Sequence, residues 1–164
     1  MKKIKLYGKH LGKVVLVSDE SFDELNHWGW QINSSGYVSR SVKLKGGKRK
    51  IEFMHHRVLK KKNGFEIDHI NRNKLDNRSC NLRYATRSQQ LANSGMRKNT
   101  ISGYKGVWRH PKTIKKWHAE VLVNGKKHRL GKYETKEEAA LAYNKAAKKY
   151  FGEFAFLNNV PSST

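Results

Sequence analysis

An aspartate and a histidine stand side by side at Asp68-His69, and Asn81 follows the aspartate by thirteen residues. A carboxylate is a hard oxygen donor for a small divalent cation. A neutral imidazole can take a proton from water near pH 7. Consecutive side chains on a strand point to opposite sides, so Asp68 can face an ion while His69 faces a water. Asn81 could bond either the backbone or the imidazole, and so fix the orientation of a base that must not wander. An isolated Asp-His pair is far more often a structural feature of a polar turn, so its setting has to decide.

That setting is a chain of 164 residues with formal net charge +22 and a pI near 10.2. Such a charge calls for a polyanionic partner, nucleic acid before an anionic membrane surface or an acidic protein. The charge is also unevenly spread. Between Asn77 and Ala119 there is no Asp or Glu, while Arg78, Arg83, Arg87, Arg97, Lys98, Lys105, Arg109, Lys112, Lys115 and Lys116 all fall there. A one-sign stretch of this kind is a solvated linker or a track for phosphates, and the second suits the pair beside it. Metal-assisted cutting of nucleic acid is the chemistry these features share. Phosphodiester hydrolysis needs an attacking water, charge stabilisation and help for the leaving oxygen, and one Mg²⁺ or Mn²⁺ ion can supply the last two.

Cys80 is the single cysteine, so no internal disulfide and no thiolate zinc cluster can form. No apolar run approaches the roughly 20 residues that span a membrane. Met1-Lys2-Lys3 is basic, but Val14-Val15-Leu16-Val17 is too short for the core of a secretion signal. A soluble protein of the cytoplasm is expected, that of a bacterial host if the gene belongs to a phage.

Three segments must position these residues. The first is strand-rich. Val14–Val17 reads as a buried strand, Trp28–Ile32 and Tyr37–Leu44 as a hairpin across Asn33–Gly36, and Ser21–Asn26 as a short acidic helix. Trp28 and Trp30 are expected to pack. In the second, Ile67–Ile70 is a short strand and Asn71–Asn81 a polar loop. Leu82–Thr86 then leads into a helix over Arg87–Ala92, giving a strand-loop-helix unit. Polar, basic Ser94–Ile101 reads as a linker. In the third, strands Tyr104–Arg109, Trp117–Val123 and Lys126–Tyr133 are joined in part by the hairpin signal Asn124-Gly125. Thr135-Lys136-Glu137-Glu138 is a capping box opening a helix that ends before Gly152, with Ala139, Ala142, Tyr143, Ala146 and Tyr150 on its apolar side. Alternation puts Trp117, Ala119, Val121 and Val123 on the face toward that helix. It leaves His118, Glu120 and Leu122, with Lys127 and Arg129, on a free face.

His56-Arg57-Val58, Asp68-His69-Ile70, Asn77, Asn81-Leu82-Arg83 and Thr86 resemble the HNH endonucleases of the phage and intron-encoded homing type. Val17–Glu20 and Gly36-Tyr37 extend the resemblance, which covers about residues 14 to 93. It implies a ββα-metal site with Asp68 as metal ligand, His69 as general base, Asn81 as orienting residue, and His56 as a buttress or a packed histidine. The family places a second metal ligand, Asn or His, on the helix nine residues after the middle Asn. Here that position is Gln90, whose carbonyl oxygen sits one methylene further out.

Residues 102 to 158 resemble the plant ethylene-response-factor DNA-binding domain. The residues that carry this are Gly103–Val107, Trp117–Val121, Leu130–Tyr133, Thr135–Ala140, Ala142-Tyr143 and Leu157-Asn158. That family lays its three-stranded sheet in the major groove. The resemblance implies Lys105, Trp108, His110, Glu120, Leu122, Lys127 and Arg129 as the DNA-contacting positions. Arg129 could read guanine, and Lys105 and Lys127 hold phosphates. Trp108 stacks on the DNA or is simply exposed, and Trp117 belongs to the core.

The expectation is therefore an α+β chain. Residues 1–93 carry N-terminal strands and the nuclease module, 94–101 a linker, 102–158 the sheet module and 159–164 a tail. A monomer acting on double-stranded DNA with a single Mg²⁺ or Mn²⁺ is expected. A DNA-binding regulator with an inactive nuclease fold is the competing reading, and a sequence-blind RNA or nucleoid binder is a third.

Overall fold

In the computed structural model, which describes residues 1–97, 99–109 and 116–161, the chain divides into two compact units, Met1–Ala85 and Thr86–Thr164. Both mix helices with small antiparallel sheets, as an α+β chain should.

The first unit opens with β1 (Lys2–Lys5), which pairs with β2 (Val14–Val17) in the register Ile4↔Val15. Helix α1 (Asp19–Asn26) follows, two residues longer at its start than the acidic pattern suggests. Strands β3 (Gln31–Ile32), β4 (Val38–Lys43) and β5 (Arg49–Phe53) form a three-stranded meander. Only two residues of the expected Trp28–Ile32 strand pair with a neighbour. Trp28 and Trp30 do pack, edge to face at 6.2 Å between ring centroids. Trp30 is fully buried and donates its indole N–H to Leu25 O at 2.8 Å. Ile4, Leu6, Val15, Val17, Leu25, Trp30, Val38 and Met54 make the core.

A one-turn helix, α2 (Met54–Val58), then carries His55 and His56. Strand β6 (Glu66–His69) pairs with β7 (Leu82–Ala85) in the register Asp68↔Arg83 and His69↔Leu82. This corrects the expected strand-loop-helix order, since Leu82–Ala85 is a second strand. Four residues are too few to show a period of two; pairing with β6 is what fixes them as extended.

The second unit begins with α3 (Arg87–Asn93), opened by a capping box between Thr86 and Gln89. Strands β8 (Val107–Arg109), β9 (Trp117–Val123) and β10 (Lys126–Tyr133) form a sheet in the order β10-β9-β8. Strand β8 is shorter than expected because Gly103 and Gly106 turn the chain with φ of 74° and 73°. A bulge between Arg129 and Gly131 turns Leu130 toward the core. Helix α4 (Lys136–Phe151) starts at the Thr135/Glu138 capping box and stops at Gly152, both as read from the sequence. Its buried face ends on Phe151, while Tyr150 is 43% exposed, which corrects the expected stripe by one residue. Val107, Ala119, Ala139 and Ala140 form the core between sheet and helix, with Trp117 packed against it. Gly106 makes this close approach possible: a Cβ there would lie 2.1 Å from Tyr143 Cδ2 and 2.6 Å from Glu120 O.

Candidate active site

Asp68 and His69 end strand β6, where pairing with β7 buries both, leaving them 7% and 4% exposed. Arg83, the cross-strand partner of Asp68, donates from Nε to Asp68 Oδ2 at 3.2 Å.

The loop after β6 is held from two directions. Strand β2 clamps its far side, with Leu16 N–H donating to Leu75 O and Asn77 N–H donating to Leu16 O, each at 2.8 Å. The start of α1 holds its end, Ser79 N–H donating to Ser18 Oγ at 2.8 Å. Inside the loop Asn81 takes the backbone option. Its Oδ1 accepts from Asn71 N–H at 3.0 Å and its amide donates to Asn71 Oδ1 and Asp76 O at 3.0 and 2.7 Å. Asp76, 2% exposed, accepts from Arg78 Nε and Nη2, both at 2.7 Å, and from Asn71 Nδ2. These donors, Arg78 first, hold its carboxyl below the usual carboxylate range.

Asn77 faces the His69 ring, with Oδ1 3.4 Å from Nε2. Its own amide nitrogen donates to Lys74 O at 3.1 Å, which turns the carbonyl oxygen toward the imidazole. That oxygen can accept from the ring when Nε2 carries the proton. Burial pushes the His69 pKa below its ordinary value despite Asn77 and Asp68, so the ring is neutral near pH 7.

A second imidazole lies against the first. His55 is 6% exposed, and its ring centroid is 5.4 Å from that of His69, 5.3 Å from Tyr37 and 5.4 Å from Phe53. Its Nδ1 is buried with no hydrogen-bond partner among the described residues. Burial pushes its pKa down to about 3. His56 packs edge-on against His55 at 4.4 Å, and burial lowers its pKa too. Sequence reasoning singled out His56 and passed over its neighbour. It also missed Asn77 as the partner of the imidazole and Arg83 as that of Asp68. The cross-strand and cross-loop pairings that bring these residues in leave no mark on local spacing.

Among the described residues no three His, Cys, Asp or Glu side chains gather as a metal cluster. The donor chemistry here is that of the buried Asp68 carboxylate, the Asp76 carboxylate being taken up by Arg78 and Asn71. It fits a hard ion of the Mg²⁺ kind, which keeps several waters and takes one or two carboxylates together with substrate phosphate.

In the second unit, Gln90 on α3 has its Oε1 accepting from Arg87 Nη1 at 2.6 Å. The sheet face away from α4 carries Glu120, Leu122, Lys127 and Arg129, as alternation requires, with Arg129 opposite Glu120 and Lys127 opposite Leu122. Lys127 Nζ is 3.3 Å from Glu120 Oε1. With Lys127 largely exposed, such a pair is worth little. Trp108, opposite His118, stacks on its ring at 4.5 Å and 19°. Lys105 Nζ donates to Leu91 O, Ala92 O and Ser94 O at 2.9, 2.7 and 2.7 Å. His110 lies outside the described residues. Among the described residues no helix is long and apolar enough to cross a membrane.

A family model described as HNH endonuclease matches residues 52–92, and one described as AP2 domain matches 102–153. The chain is 33% identical over 158 residues to an uncharacterized HNH endonuclease, L560, of Acanthamoeba polyphaga mimivirus, covering 94% of this chain and 80% of that protein. It is 45% identical over 62 residues to the dehydration-responsive element-binding protein 2E of Oryza sativa subsp. japonica, covering 37% of this chain and 19% of the plant protein. Among solved structures, that of the HNH homing endonuclease I-HmuI covers 93% of this chain and 84% of its own, with 22% identity and a TM-score of 0.36.

Proposed function

Because this chain belongs to the HNH endonuclease family and carries an AP2 domain, we propose that it is a metal-dependent endonuclease that cuts or nicks double-stranded DNA. The observation that carries the reading is the buried Asp68-His69 pair, its imidazole kept neutral by burial and oriented by Asn77.

His69 acts as general base. With Nε2–H directed at Asn77 Oδ1, the proton of the attacking water goes to the other ring nitrogen. Asp68 holds the ion, which, when bound, offsets charge on the scissile phosphate and helps the 3′ oxygen leave. Asn81 keeps the loop that presents Asn77 in shape. Arg129 on the free sheet face reads bases and Lys127 holds phosphate, so the AP2 sheet supplies register while the rest of the positive charge supplies affinity. The protein works as a monomer in the cytoplasm, that of a bacterial host if the gene belongs to a phage.

Incubation of supercoiled plasmid carrying the DNA around the gene with Mg²⁺ or Mn²⁺ tests this. Nicked or linear product is expected, and His69→Ala should lower its rate by roughly 10²–10⁴-fold while DNA binding survives. Intact plasmid at enzyme excess with either ion sinks the catalytic assignment. A DNA-binding regulator with an inactive nuclease fold is the second reading, favoured by the engagement of Gln90 Oε1 with Arg87. Gln90→Asn separates the two. Activity gained from an inert wild type supports the regulator, and activity present in both supports the nuclease.

A further inference from the structure

We propose that Lys105 is a positioning residue that locks helix α3 to the AP2 domain, and that it does not hold a DNA phosphate. The last carbonyls of an α-helix have no partners within it. An ammonium group has three donors, and those of Lys105 meet three carbonyls at the C-terminal end of α3, from Leu91, Ala92 and Ser94. A cation there is also favoured by the helix dipole. A phosphate contact would require giving up these three bonds.

The lysine is aimed from a rigid base. Its N–H donates to Asn158 Oδ1 at 2.7 Å and its carbonyl accepts from Asn158 Nδ2 at 3.0 Å. Asn158, 7% exposed, is fixed in turn by Asn144 of α4 through two bonds of 2.7 and 2.8 Å. Two further straps tie the same helix to the same domain. Phe156 N–H donates to Ala92 O at 3.2 Å, and at the first turn Ser88 Oγ accepts from Asn124 N–H of the β9–β10 turn at 3.1 Å. Helix α3, with only seven residues, is too short to be stable alone. The domain that resembles a separate reader of DNA is therefore what holds the helix carrying Gln90. The inference rests on the nuclease reading only for the importance it gives to Gln90.

Two measurements on the full chain decide it, comparing wild type with Lys105→Met, Lys105→Gln and Lys105→Arg. Native-state hydrogen exchange of the α3 amides should speed up by about tenfold or more in Lys105→Met. Protection should be partly restored in Lys105→Arg, which keeps a cation with several donors. The salt dependence of binding to a mixed-sequence DNA duplex should keep its slope. A phosphate contact instead predicts a slope lower by about 0.9 with α3 protection intact. A reduced slope overturns the inference, and so does unchanged exchange in α3. If Lys105→Met fails to fold, Lys105→Gln, whose neutral amide can still reach a carbonyl, carries the same two readouts. A wild type that cuts no DNA defeats the nuclease reading and leaves both measurements able to decide this one.

Discussion

Acid should unfold this protein through His55 before its carboxylates are protonated. The ring is 6% exposed, sits against four other aromatic rings and has its Nδ1 without a hydrogen bond among the described residues. Burial takes its pKa from 6.5 to about 3. The folded value lies below the unfolded one, so on acidification the unfolded chain binds the proton first. Stability is then complete above about pH 6.5 and lost steadily as pH falls toward 3. Each pH unit in that window costs about 1.4 kcal/mol. Between pH 7 and pH 5 the loss from this one group is about 2 kcal/mol, a sizeable part of an ordinary domain's stability. Urea denaturation of wild type and His55→Leu at the two pH values checks it. His56 and His69 are shifted the same way, but both remain in the variant, so the difference between the proteins isolates His55. The variant should lose about 2 kcal/mol less than wild type on going to pH 5. Equal losses in the two proteins would refute the argument that His55 is buried neutral. So would a His55 ring resonance that titrates near pH 6.5.

Asp76→Asn should cost about 2–3 kcal/mol near neutral pH, because it removes a buried carboxylate bonded by both arms of Arg78. Since the folded pKa lies below 3.8, the wild-type advantage is present above that value and fades as pH falls through the lower one, which paired urea titrations would show. Gly106→Ala should cost about 3 kcal/mol or more, because the new Cβ meets the Tyr143 ring and Glu120 O at a φ of 73°. Thermal unfolding of the second unit's sheet reads this, and a variant as stable as wild type would mean that α4 does not pack so closely.

Wherever one element announces itself, the chain could be read directly. The Asn124-Gly125 turn, the Thr135/Glu138 capping box, the full lengths of β9 and β10 and the free face bearing Glu120, Leu122, Lys127 and Arg129 were all legible, because each follows from local periodicity or local hydrogen bonding. The adjacency of Asp68 and His69 was legible too, and the structure buries both. Errors came where a neighbour decides. Leu82–Ala85 is a strand because β6 lies beside it, and Phe151 rather than Tyr150 is on the core face because the buried stripe of α4 runs through Ala140, Tyr143 and Ala147.

Residue types and order alone determined that an acid and an imidazole sit together in a strongly cationic chain whose second half carries a sheet backed on one face by a helix. Tertiary structure decided who touches whom. It set His55 rather than His56 against His69, gave Asn77 the imidazole and Asn81 the loop, paired Asp68 with Arg83, and turned Lys105 into the cap of α3. The physical reason is the same in each case. A hydrogen bond or ring contact is satisfied by whatever group the fold brings within about 3–5 Å, and separation along the chain does not encode that distance.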